Sequence, residues 1–298
     1  MSWTRRAFIA TGLAAVATGA YAGIIEPKLR LRQVHYRFGP DNPLRGWPAG
    51  QKLRIAAMAD PHVNRPFTPP SRIARIVAQI NEAKPDVVVL LGDYTSNIPG
   101  TERSVEPDEV GDVLSSLRAP LGTYAVLGNH DWWDDRRGRR QIGDNDTLIG
   151  NTLAAHGITV MENDAIPLTH NNGKFWLLGL GDQWAYRLSK REFQGRDDLP
   201  GTLAQISDDA PAILLAHEPD IFPDVPGRVS LTLCGHTHGG QIQFFGWAPK
   251  VPSKFGSRYR YGHIIEDNRH LIVSSGVGCS SLPIRFGAPP EIVLIDIA

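Results

Sequence analysis

The chain has 298 residues, 42% of them hydrophobic, enough to bury one large α/β core or two small ones. Its 31 Lys and Arg balance 31 Asp and Glu, so nucleic acid, whose binding rests on neutralising phosphates, is not the expected partner. The two cysteines, Cys234 and Cys279, lie far apart and outside any CxxC pair; a disulfide framework is excluded, and both read as small buried side chains.

At the N-terminus, Thr4-Arg5-Arg6-Ala7-Phe8-Ile9 resembles the twin-arginine export signature. An uncharged stretch rich in Ala and Gly runs from residue 7 to 25, with Ala20-Tyr21-Ala22 in the small-x-small form of a signal peptidase site. The stretch is nearly long enough to span a membrane, but its weak apolar character suits an export signal. Residues 1–25 are therefore read as a twin-arginine-type signal or N-terminal anchor, and residues 31–298 as the folded domain. Export by that route places the protein in the periplasm, in the cell wall or on the outer face of the cytoplasmic membrane.

Val34, Tyr36 and Phe38 alternate with polar residues and predict an opening strand over residues 33–38. Residues 53–59, 86–91 and 123–127 are short apolar runs that predict strands buried on both faces. Between the first two, Ile73, Ile76, Val77 and Ile80 fall on one face of a helix over residues 71–81 that starts after Pro69-Pro70. Val110, Val113, Leu114 and Leu117 give the next helix. The opening third thus reads strand, helix, strand, helix, strand, the pattern of an α/β sheet. A helix over residues 147–156 stops at Gly157. After it come strand-like runs at residues 158–161, 175–180, 212–215, 231–233, 270–274 and 291–297, with one further helix at 199–206. Few helices separate them, which predicts a second sheet packed on the first.

Five short motifs close these strands: Asp60-Pro61-His62, Gly92-Asp93, Gly128-Asn129-His130-Asp131, Ala216-His217 and Gly235-His236-Thr237-His238. Crevices in open α/β sheets form at the carboxyl ends of strands. Asp, Asn and His suit Mn, Zn or Fe better than Mg or Ca. Each motif alone is weak; five in this order are specific. The remaining histidines, His35, His156, His170, His263 and His270, lack such a setting and are read as ordinary core or surface residues.

In this pattern the chain resembles the calcineurin-like metallophosphoesterase superfamily, from about residue 53 to the C-terminus. The resemblance implies a four-layer α/β/β/α sandwich of two mixed β-sheets flanked by helices. It also implies two divalent or trivalent metal ions (Mn, Zn or Fe), one on Asp60, His62 and His238, the other on Asn129, His217 and His236, with Asp93 bridging both. Two metals can clamp the attacking and leaving oxygens of an in-line phosphoryl transfer and acidify a bridging hydroxide as nucleophile, so no Ser or Cys nucleophile is needed. His130 is expected to stabilise phosphoryl oxygens or protonate the leaving group. Asp131 is expected to orient His130 by a hydrogen bond, to cap a helix, or to do both.

Departures from better-known branches narrow the class. The Asp-Arg-Gly of protein Ser/Thr phosphatases is absent after Asp93, and Ser96 stands where purple acid phosphatases carry a Tyr ligand. His217-Glu218-Pro219-Asp220, Gly235 to Gln241 and Pro283-Ile284-Arg285-Phe286 look like the exported or membrane-associated bacterial phosphodiesterase branch. The expected substrate is a phosphodiester or phosphomonoester, lipid-linked or of the cell envelope. A UDP-2,3-diacylglucosamine pyrophosphatase activity is the first alternative, weakened by the export signal because that substrate is cytoplasmic. A non-catalytic metal- or phosphate-binding protein on the same fold is the second. Trp132-Trp133 and Phe244-Phe245-Gly246-Trp247 lie close to the motifs and divide evenly between core packing and an acyl or membrane-surface contact. Arg136, Arg137, Arg139 and Arg140 are flanked by acids and read as a self-neutralising surface. A monomer is expected.

Overall fold

Runs of Val, Ile and Leu that bury both faces must lie between layers, and Leu53–Met58, Val87–Leu91 and Thr123–Val126 do so in the computed structural model, which describes residues 3–96, 98, 103–171 and 173–298. They form the centre of a six-stranded sheet in the order Arg32–Phe38, Glu291–Ile297, Leu53–Met58, Val87–Leu91, Thr123–Val126, Thr159–Val160. The last four strands are parallel, and Glu291–Ile297 runs against Leu53–Met58.

The second sheet also has six strands, in the order Gly262–Glu266, Arg269–Val273, Val229–Cys234, Ala212–Leu215, Gly173–Gly179, Asp164–His170. Its four inner strands are parallel, and both edges pair antiparallel. These edge strands were not anticipated from sequence over Gly262–Glu266 or Asp164–His170. Half-exposed residues blur their pattern, and Pro167 is tolerated because an edge strand need not donate on both sides.

Alternation within each strand builds the layers. Ile55, Ala57, Val87, Val89 and Leu91 of the first sheet meet Phe175, Leu177, Ile213, Leu215, Leu231 and Leu233 of the second. On the other face of the first sheet, Ala56, Met58, Val88 and Leu90 pack against Ile73, Ile76, Val77 and Ile80 of the helix Pro70–Glu82. Each such Ile contributes about 1.5–3 kcal/mol by leaving water. The helices Pro107–Leu114 and Leu148–Ala155 complete that layer. The first starts on a Glu106–Glu109 capping box, and the second starts where Thr147 Oγ1 accepts from Gly150 N at 3.0 Å. Outside the second sheet, Trp176, Leu178 and Leu214 pack under Leu199, Ile221 and Phe222, carried by the short helices Leu199–Ala204 and Pro219–Asp224. The result is the expected four-layer sandwich of two mixed sheets.

Ahead of the first strand, a helix runs from Trp3 to Ala20 and continues through Tyr21–Leu29 as a wider π-helical segment. The 24 residues from Arg6 to Leu29 are long and apolar enough to cross a membrane. Met1 and Ser2 of the expected signal or anchor segment lie outside the described residues. Cys234 and Cys279 are free and buried, as read from sequence.

Candidate metal centre

The carboxyl ends of the parallel strands in both sheets converge, and each motif continues its strand into a turn. Asp60 N and His62 N donate to the carbonyls of Gly92 and Asp93, at 3.1 and 2.9 Å. Gly235 N donates to His217 O at 3.0 Å, and Gly278 N to Asp60 O at 2.8 Å. The turns are sharp enough to be strained: Asp60, His62, Asp93, His236 and His238 all sit at positive φ, between 41° and 68°. A left-handed non-Gly residue costs on the order of 1 kcal/mol, and such strain gathers at functional sites. Close approach explains two glycines. A Cβ on Gly92 would stand 2.6 Å from His217 Nδ1, and one on Gly128 would stand 2.5 Å from Asp93 Oδ1.

The donors fall into two buried clusters, Asp60 with His62 and His238, and Asp93 with His217 and His236, the atoms of each within 4.8 Å of one another. In the first, His62 Nε2 lies 3.0 Å from His238 Nε2, and His238 Nε2 lies 3.4 Å from Asp60 Oδ1. Asp93 touches both clusters: its Oδ2 is 3.3 Å from His217 Nε2 and 3.4 Å from His62 Nε2. Asn129 follows Gly128 beside Asp93, and its buried Oδ1 has no hydrogen-bond partner among the described residues.

Buried polar atoms without partners are costly, and they concentrate here. Among the described residues, His217 Nε2, both ring nitrogens of His236 and Asn129 Oδ1 have no hydrogen-bond partner, whereas His217 Nδ1 donates to the Leu91 carbonyl at 2.6 Å. That bond fixes the Nδ1 proton and turns Nε2 toward Asp93, where a metal-binding imidazole would offer its lone pair. Burial holds His62 down at about 3 and His236 and His238 well below the ordinary imidazole range, so these rings stay neutral. Burial opposes the charge on Asp93, but His217 and His130 hold its carboxyl well below the usual range. His217 differs: burial opposes its charge, but the Asp93 carboxylate raises its pKa well above the ordinary range, so a cation beside Asp93 would take the place of that proton. Three neutral imidazoles, a charged carboxylate and orphaned donors fit a metal pair.

His130 stands at the rim. Its backbone N–H donates to Asp93 Oδ1 at 2.8 Å, and its ring meets His62 edge-on at 5.0 Å. Burial opposes its protonation, yet Asp93 and Asp134 push its pKa up to about 8. The expected orienting bond from Asp131 is corrected by the structure. Asp131 Oδ2 accepts from Gly128 N and Asp93 N at 2.8 and 2.9 Å, and its Oδ1 accepts from Tyr94 N at 2.9 Å. It buckles two motif loops together, and its bond to Gly128 N is the helix cap that was also expected of it. The ring's partner is Asp134, whose Oδ2 accepts from His130 Nδ1 at 2.6 Å. The signal for it was the i, i+4 spacing on one helical turn, which adjacency in sequence hid. Asp134→Asn is expected to lower kcat/KM about 10- to 100-fold, the usual cost of losing a residue that orients a functional histidine. Metal content should be unchanged, and Asp134→Glu should recover part of the loss.

Other contacts were not anticipated. Arg285, fully buried, brings Nη2 within 3.1 Å of His238 Nδ1 while donating to the carbonyls of Ser275, Gly278 and Ala288. Its fixed charge adds to burial in keeping His238 neutral. Glu218 is buried near His236, its Oε1 4.0 Å from the ring Nδ1, and Asp182 is buried beside Glu218 and raised well above the usual carboxyl range by burial and by Glu218. Trp133, Phe193 and Trp184 stack into one wall, with Trp184 edge-on to His236 at 4.6 Å and Trp133 at 5.6 Å from His130. Trp132 instead belongs to the core. Tyr94 points away from the centre, its hydroxyl donating to Val126 O at 2.9 Å.

Three of the four arginines that follow His130 are paired with acids, as read from sequence: Arg136 with Glu106, Arg137 with Asp135 and Asp146, and Arg140 with Asp144. None of His35, His156, His170, His263 and His270 belongs to either donor cluster.

A family model described as calcineurin-like phosphoesterase matches residues 53–240. The chain is 33% identical to the uncharacterized metallophosphoesterase YkuE of Bacillus subtilis over 82% of its own length and 79% of that protein. It is 32% identical to phosphodiesterase YaeI of Escherichia coli, over 99% of both chains. With the UDP-2,3-diacylglucosamine pyrophosphatase LpxG of Chlamydia trachomatis it shares 28% identity over 97% of its length and 96% of that protein.

Proposed function

The chain belongs to the calcineurin-like phosphoesterase family and is a hydrolase of phosphoric esters, and we propose that it hydrolyses a phosphodiester or phosphomonoester with two metals. The observation that carries this reading is Asp93 Oδ2, at near-equal distance from a histidine of each cluster. Asp60, His62 and His238 would hold one metal, and Asn129, His217 and His236 the other, with Asp93 shared. Bound there, the metals would acidify water and clamp the attacking and leaving oxygens of an in-line phosphoryl transfer. Mn, Zn and Fe suit these donors.

The chain's own residues supply the rest. His130, protonated at neutral pH and held by Asp134, presents Nε2 to the leaving oxygen or to a phosphoryl oxygen. Arg285, with Nη2 against His238 Nδ1, holds that ring in place and adds to the burial that keeps it neutral. The wall of Trp133, Phe193 and Trp184 offers flat apolar surface for a substrate group beyond the phosphoester. A lipid-linked or cell-envelope ester is the substrate class we favour. The diacylglucosamine nucleotide of LpxG is a second reading, supported by likeness along nearly the whole chain.

Chelated protein should not turn over p-nitrophenyl phosphate or bis(p-nitrophenyl) phosphate, and Mn or Zn should restore turnover of at least one. Silence with every divalent metal would leave only a binding role.

We also propose export by the twin-arginine route, supported by Arg5-Arg6 ahead of the apolar helix. Changing both to Lys should hold the protein in the cytoplasm; fractionation showing unchanged export would remove the proposal.

A further inference from the structure

The aromatic cluster that follows the Gly-His-Thr-His motif is not core. Phe245 is fully exposed, Trp247 is 64% exposed, Phe244 47% and Leu282 54%. Exposed large apolar groups in one place ask for an apolar partner. These are also firmly held. Phe244 and Trp247 exchange two backbone hydrogen bonds, at 2.8 and 3.0 Å, around a two-residue turn. Phe245 and Gly246 both take positive φ, 51° and 84°, as the mirror-image hairpin turn requires. Arg260 Nη1 donates to Gly246 O at 2.8 Å, and Gln243 N to Phe286 O at 2.6 Å. Phe245 thus stands at the tip of a rigid projection.

That projection adjoins the point where the N-terminal helix meets the body. Arg285 N donates to Ala22 O at 2.9 Å, Arg72 binds the Pro27 carbonyl, and Glu26 and Pro27 are buried. A chain of rings links the two: Tyr21 to Phe286 at 6.0 Å, and Phe286 to Phe244 at 5.3 Å. On the other side the same segment reaches the metal centre. Gln241 Nε2 donates to Ser280 O and Leu282 O at 3.0 Å, Ser280 Oγ lies 3.5 Å from His130 Nε2, and Arg285 reaches His238.

We propose that Phe244, Phe245, Trp247 and Leu282 insert into a lipid bilayer as a second membrane contact beside the N-terminal helix, with the rim of the metal centre held at headgroup level. The occupant is a bilayer because the patch continues a helix long and apolar enough to cross one. Aromatic side chains at such a helix's exit take the level of the membrane–water interface. The helix fixes one point of the body; the turn fixes a second and so sets its tilt. The proposal adds to the reading of an envelope substrate, but its test reads depth, not turnover.

The full chain carrying Phe245→Cys is labelled with the environment-sensitive fluorophore NBD and reconstituted into phosphatidylcholine–phosphatidylglycerol vesicles. Glu82→Cys, exposed at the amino end of the sheet and so opposite the metal centre, is the reference. Emission from position 245 should shift to the blue, and doxyl-labelled lipid should quench it at least twofold more than the reference. Equal, water-like emission at both positions overturns the proposal. A blue shift without doxyl quenching also overturns it, because it assigns the patch to a second copy of the chain. If Phe245→Cys does not fold, Trp247→Cys reads the same face.

Discussion

Asp93→Asn is expected to lose turnover by on the order of a thousandfold or more, and to lose metal with it. The change is nearly isosteric, so packing survives. The single negative charge shared by His62 and His217 does not. Two cations close together repel, and a carboxylate between them offsets that repulsion. An amide oxygen cannot do so. Metal per chain, measured by mass spectrometry after gel filtration, should fall below two at concentrations that saturate the parent. The amide oxygen can still accept the His130 backbone N–H, which the carboxylate binds at 2.8 Å, so the loop should keep its place. A variant that keeps two metals and parental rate would remove Asp93 from the bridging role, and with it the dinuclear reading.

His130→Ala separates chemistry from binding. Two metals per chain should remain, because the side chain lies at the rim and its backbone bond to Asp93 survives. Rate should fall about 10²- to 10³-fold, the range for removal of a proton donor or an oxyanion stabiliser. The leaving group decides which role is lost. If His130 protonates the departing oxygen, esters of p-nitrophenol, a good leaving group, should suffer less than alkyl esters. An equal loss on both would assign it to the phosphoryl oxygens. Loss of metal would instead make it a ligand.

Much of this centre was legible because its chemistry is local. Asp60-Pro61-His62 and Gly235-His236-Thr237-His238 carry their donors within a few residues of a strand end, and an apolar run marks that end. The layers were legible for the same reason, since the strands Val87–Leu91 and Ala212–Leu215 bury every residue and read as unbroken apolar runs. What stayed hidden depends on three-dimensional return. Arg285 reaches His238 across 47 positions, and no spacing announces it. Trp184 and Phe193 join Trp133 in one wall only because a loop folds back. Of the two roles expected of Asp131, the helix cap is present, while the His130 ring bonds Asp134 instead, because adjacency only suggested contact. On a helical turn, neighbours in sequence point apart while residues four apart meet.

The bond from His217 Nδ1 to the Leu91 carbonyl joins the two sheets, since His217 follows a strand of one and Leu91 ends a strand of the other. The donor set is therefore assembled by two halves that touch elsewhere mainly through apolar side chains. Its geometry works like a vernier, in which a small slip of one scale against the other shows at once. Repacking the intersheet layer, far from any donor, would change that alignment before it changed the fold. Metal affinity would then register core substitutions that leave the melting temperature almost still.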